Sequence, residues 1–111
     1  VAEKVVFPRR AAAVLDARLR AFGSDVEVAE RAGTRRYHRG DRLFAVVKPM
    51  ATRVDVGFFK LGRARSKRIL HARGALPFVP YRVVVEAPGD VDSELLAWLR
   101  ESYEESAPQE P

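Results

Sequence analysis

The chain has 111 residues, 47% of them hydrophobic, which suits one domain around one core and argues against wholesale disorder. It contains no cysteine, so disulfides, thiolate metal sites and a cysteine nucleophile are excluded, and a reducing, cytoplasmic setting is expected. The net charge of +5 is unevenly spread: residues 1–85 hold 19 Lys/Arg against 7 Asp/Glu, and residues 86–111 hold 1 against 8.

No apolar run approaches the roughly 20 residues that cross a bilayer, so no membrane association is expected. The first helical pattern, PRRAAAVLDARLRAF, carries four arginines and an aspartate and is not the apolar segment of a signal peptide. Pro8 fits the first turn of that helix. Ala11, Leu15, Leu19 and Phe22 then recur at helical spacing along one stripe, and Gly23 is expected to cap the C-terminus. Residues 24–33 (SDVEVAERAG) read as a connection with some extended character, because Val26 and Val28 alternate while the acids and alanines tolerate a helical turn.

Strand patterns follow. TRRYHR (34–39) and RLFAVVK (42–48) are joined by Gly40-Asp41, a two-residue linker of the hairpin type. Simple alternation puts Leu43, Ala45 and Val47 on one side and Phe44 and Val46 on the other, so the second strand is central. RVDVGFF (53–59) sets Val54, Val56 and Phe58 against Asp55, Gly57 and Phe59. The three form an antiparallel meander with one face covered by helices.

KLGRARSKRILHARG (60–74) then brings six lysines and arginines, one histidine and no acid. It reads as a basic connection in which SKRILHA can form a helical turn anchored by Ile69 and Leu70. Pro77 and Pro80 bracket Phe78 and Val79, and the β-branched run YRVVVEA (81–87) supplies a further strand. Asp90 or Asp92 caps the last helix, whose buried stripe is Val91, Leu95, Trp98, Leu99 and Ser102, bordered by Tyr103. The expected fold is α+β: an antiparallel sheet of four to five strands backed by an N-terminal and a C-terminal helix. One domain covers residues 1–106, and residues 107–111 form a flexible tail.

This order, with RRYHRGDRLFAVVKP, VDVGFF and YRVVVEAPGDVDSELLAWLRESYE, resembles small bacterial domains of unknown function of the YdhG-like group over residues 9–105. The resemblance implies an α+β sheet backed by two helices, and some members have been linked to frataxin-like iron handling. An iron-delivery surface calls for clustered carboxylates on the first helix. Here that helix has Asp16 among arginines, and the acids lie on the last helix (Asp92, Glu94, Glu101, Glu104, Glu105). No metal ligand and no cofactor is therefore carried over.

Catalytic patterns are weak. His38 and His71 lack the companions of a spaced ligand set. Asp55 lacks the acid-x-lysine pair of a metal nuclease, no serine sits in G-x-S-x-G, and GRARSKR is not a phosphate loop. For an enzyme, Tyr37, His38, Asp55, His71 and Arg82 are the polar groups to inspect. Basic residues carry the stronger signal, since arginine forks pair with phosphate and stack on bases. The expected anion-binding set is Lys60, Arg63, Arg65, Lys67, Arg68 and Arg73 of the connection, with Arg39 and a stacking Tyr37 from the hairpin. Arg35, Arg36 and Arg42 flank it.

The function expected is a non-catalytic binding module for nucleic acid, a phosphorylated ligand or an acidic protein surface. The alternative is a homodimeric structural or small-ligand protein pairing through an edge strand or hairpin aromatics, with metal handling third. The sequence leaves open monomer or dimer, and whether the acidic last helix folds back to neutralise the basic connection.

Overall fold

A computed structural model describes residues 2–59, 66–72, 76 and 78–106, without the side chains of residues 2–8. Its elements are α1 (Ala2–Arg20), β1 (Val26–Arg31), β2 (Thr34–Arg39), β3 (Arg42–Pro49), β4 (Val54–Phe58), β5 (Leu70–His71), β6 (Tyr81–Val85) and α2 (Ser93–Glu105), with a 3-10 turn at Pro88–Asp90. The strands form one antiparallel sheet in the order β1-β2-β3-β4-β6-β5. The α+β architecture with a helix at each end is as expected; six strands exceed the four to five expected. The tail at 107–111 lies outside the described residues.

The two additional strands are edge strands. In β1, Val26 and Val28 pack against the core while Glu27 and Ala29 to Arg31 stay exposed. β5 replaces the helical turn expected for SKRILHA: a turn closes from Ile69 N–H to the Ser66 carbonyl, after which Leu70 and His71 pair with Arg82 and Tyr81. The β1–β2 turn, Ala32-Gly33, has positive φ at both residues (54° and 77°), the twist that suits a tight hairpin. Gly40 (φ 62°) opens the predicted β2–β3 turn.

Helix α1 begins at Ala2, so Pro8 lies in its interior and not in its first turn. A proline there removes the single N–H bond that would reach residue 4. Gly23 is not a left-handed cap either. It gives clearance: a Cβ there would meet the Tyr103 hydroxyl and the Asp25 carboxylate.

Both helices cover one face of the sheet. Ala11, Leu15 and Leu19 of α1 and Leu95, Trp98, Leu99 and Tyr103 of α2 bury Tyr37, Phe44, Ala45, Val47, Val54, Val56 and Phe58. Each fully buried aliphatic side chain contributes about 1.5–3 kcal/mol relative to exposure. The alternation expected in β3 fails at one point. Tyr37 opposes Ala45 and His38 opposes Leu43, which leaves Phe44 as an extra, bulged residue. Phe44, Ala45 and Val47 therefore belong to the helix-side core, and Leu43 and Val46 to the opposite face.

That opposite face has a small core of its own. The β4–β6 connection lays Ala72, Leu76 and Val79 over Val46, with Leu43 and Phe59 alongside. Gly57 permits the contact, because a Cβ there would stand 2.5 Å from Val79 Cγ2 and 2.8 Å from Leu76 Cδ1.

Candidate anion-binding surface

Of the eight residues expected to bind an anion, Lys60, Arg63, Arg65 and Arg73 lie outside the described residues. Lys67 is exposed and makes no ion pair among the described residues. Arg68 turns inward to the start of α2. Its guanidinium donates to both oxygens of Asp92 (3.0 and 2.9 Å), to Glu94 (3.0 Å) and to the Asp90 carbonyl (3.0 Å), and lies 5.7 Å from the Trp98 ring centre. Burial opposes the charge on Arg68, but the hydrogen bonds and charges of Asp92 and Glu94 outweigh it and hold the group above its ordinary range. Asp92 is held below the usual carboxylate range by the Leu95 N–H that it caps and by Arg68, against a smaller effect of burial. The acidic last helix thus neutralises this cation of the connection.

Arg39 and Tyr37 are also committed within the fold. Arg39 donates to Asp25 (2.8 Å) and to the Tyr103 carbonyl (3.2 Å), with its guanidinium carbon 4.1 Å from the centre of the Tyr103 ring. Tyr37 is fully enclosed, and its hydroxyl donates to Asp16 at 2.7 Å. Burial and that carboxylate raise the Tyr37 pKa. The ring faces the helices, because its partner across the ladder is Ala45, and it offers no face to a ligand.

Several acids of the described chain have particular partners, while the side chains of Glu27, Asp41, Glu86, Glu101 and Glu105 make no hydrogen bond or ion pair among the described residues. Asp16 takes Arg20 and Tyr37, Asp25 takes Arg39 and Tyr103, Glu30 meets Arg35, and Glu104 meets Arg100. Asp90 accepts from the N–H groups of Glu86 and Ala87, fixing the 3-10 turn. Asp55, only 1% exposed, takes Arg53 at 3.2 Å and Arg82 at 3.5 Å. Arg82 also donates to the His71 carbonyl at 3.1 Å. Asp55, Arg82 and the His71 backbone therefore come together. His38 stands on β2 and Tyr37 points to the opposite face. No group of three or more metal-ligating side chains occurs among the described residues. Arg9, Arg10, Arg18, Arg31, Arg36, Arg42, Lys48 and Lys67 remain without an ion pair among the described residues.

Two of these cations line a notch that also holds an exposed aromatic ring. Arg31, Ala32, Thr34 and Arg36, at the β1–β2 hairpin, and Phe78, from the β4–β6 connection, line a notch of about 240 Å³. Phe78 is 69% exposed with φ 70°, and the Arg36 guanidinium carbon lies 5.7 Å from its ring centre. A second, more apolar cleft of about 570 Å³ is lined by Leu43, Phe59, Pro80, Ser102 and Ser106 together with Arg42 and Glu105.

The family model for a domain of unknown function, DUF5655, matches residues 6–106, from the first helix through the last. The chain belongs to the DUF5655 family. No curated protein and no solved structure matches it. A DUF5655 assignment carries no activity. Phe78 and Arg31 were missed in the sequence. Pro77 and Pro80 were the available signal, since proline withholds a ladder donor and marks the segment between as non-strand.

Proposed function

We propose that this domain is a non-catalytic binding module whose surplus cations contact an anionic partner. The observation that carries the reading is the pairing pattern: Arg9, Arg10, Arg18, Arg31, Arg36, Arg42, Lys48 and Lys67 make no ion pair among the described residues, against the fewer acids Glu27, Asp41, Glu86, Asp90, Glu101 and Glu105. Residues 56–85 contain no acid at all, and Lys60, Arg63, Arg65 and Arg73 belong to that stretch of the sequence. Arg68, Arg39 and Tyr37 take no part in it, being engaged within the scaffold.

The order of elements supports reading the domain as a bacterial relative of the YdhG-like group, a kinship of architecture that brings no ligand with it. A cytoplasmic setting suits the cysteine-free composition. No described helix is long and apolar enough to cross a membrane.

Retention on immobilised heparin tests the reading. The parent should need added salt for elution, and an Arg36/Arg63/Arg65/Lys67 alanine variant, with Arg68 left intact, should elute earlier. Elution of both in the void volume at low salt would reject it.

A further inference from the structure

We infer that the notch between the β1–β2 hairpin and Phe78 is a stacking site for a base of single-stranded nucleic acid, with Arg31 and Arg36 holding the adjacent phosphates. The inference rests on the anion-binding reading above and names its partner.

Two described residues other than glycine hold a positive φ, Ala32 and Phe78, and both line this notch. Ala32 is accounted for by its hairpin turn. Phe78 lies in no hairpin turn among the described residues, and left-handed backbone costs an ordinary residue about 1–2 kcal/mol. Retained strain of this kind clusters at ligand clamps. The strained backbone presents a large apolar ring to water: Val79 beside it is buried over Val46, while Phe78 is 69% exposed. A ring needed for the core would follow Val79 inward.

The surroundings of the ring select the partner. Arg31 and Arg36 bring two guanidinium groups and Thr34 a hydroxyl, and no carboxylate lines the notch. A purely apolar ligand would leave both cations unused, and a phosphate alone would leave the ring unused. A base with its phosphates uses all of them: stacking is tolerant of base identity, and arginine forks pair with phosphate. In a duplex the bases are already stacked on one another, so single strands are favoured.

The test is fluorescence anisotropy of a labelled oligothymidylate of about twelve nucleotides at low salt. The protein as it stands is compared with Phe78→Ala, Phe78→Trp and a paired Arg31/Arg36 alanine variant, each checked for an unchanged melting temperature. Phe78→Ala should lower affinity roughly 5- to 150-fold, the range for loss of one stacked base, with little change in salt slope. Phe78→Trp should restore it. The arginine variant should weaken binding and reduce the slope. A duplex of equal length should bind more weakly. Parent-like binding by Phe78→Ala, or equal affinity for the duplex, would overturn the stacking site while leaving the anion-binding reading intact. A free mononucleotide competing as strongly as the oligomer would overturn the strand as partner. Absence of binding to any oligonucleotide or to heparin would overturn both.

Discussion

The Ser102 hydroxyl of α2 donates to the Phe44 carbonyl at 2.7 Å and accepts from the Phe59 N–H at 3.3 Å. Phe44 is the bulged residue of β3, and Phe59 follows the last paired residue of β4, so one buried hydroxyl satisfies two backbone groups that the ladder leaves open. Ser102→Ala takes that partner from the buried Phe44 carbonyl and the half-buried Phe59 N–H. The expected loss is about 1–3 kcal/mol, read as a lower urea midpoint with an unchanged slope. A midpoint within experimental error of the parent's would show that the bulge does not depend on this bond.

Gly57 lies under Leu76 and Val79, and its substitution by alanine forces those side chains off the sheet. Gly57→Ala should cost about 1–3 kcal/mol, the usual penalty for overpacking, and Gly57→Val more. Thermal melts of both variants check the order.

Ala32 holds φ 54° beside Gly33 in the β1–β2 turn. Ala32→Gly relieves that strain and should stabilise the protein by about 1 kcal/mol, raising its melting temperature by several degrees. A neutral or lower melting temperature would mean that the added freedom of the unfolded glycine outweighs the relief.

Asp92 and Asp16 both sit below the usual carboxylate range. Asp92 is held there by the Leu95 N–H and Arg68; in Asp16, burial acts upward but the bonds from Tyr37 and Arg20 prevail. A lowered folded pKa means that the contribution is fully present above the unfolded value near 4 and fades as pH falls through the folded value. Stability should therefore be flat from about pH 6 down to about pH 5 and decline below it. An Asp16→Asn/Asp92→Asn variant should show a shallower decline in urea melts taken across that range. At the alkaline end Tyr103, raised by its bond to Asp25, and Tyr37, raised by burial and Asp16, act in the opposite sense: stability falls once pH passes the unfolded tyrosine value near 10.

The sequence made α2 legible because its stripe from Leu95 to Ser102 and the Asp92 cap follow from local rules, and α1 from Ala11 to Leu19 for the same reason. β1 was half legible, since an edge strand needs apolar residues on one side only. The bulge was not. Its sign is a hydrogen bond between Ser102 and Phe44, 58 residues apart, and without it simple alternation puts Phe44 on the wrong face. Tyr37 differs for a related reason: amid Arg35, Arg36, His38 and Arg39 it looks like a surface ring, yet it is enclosed and bonded to the half-buried Asp16, 21 residues upstream. Within the basic connection, sequence could count the charges but could not show Arg68 folded onto Asp92 and Glu94.

The salt dependence of single-strand binding tests the central claim most directly. Log affinity should fall linearly with log salt, by about 0.7 per phosphate neutralised, and the slope should shrink when Arg36 and Lys67 are replaced by alanine with Arg68 intact. A slope of zero, or the same slope in parent and variant, would contradict it.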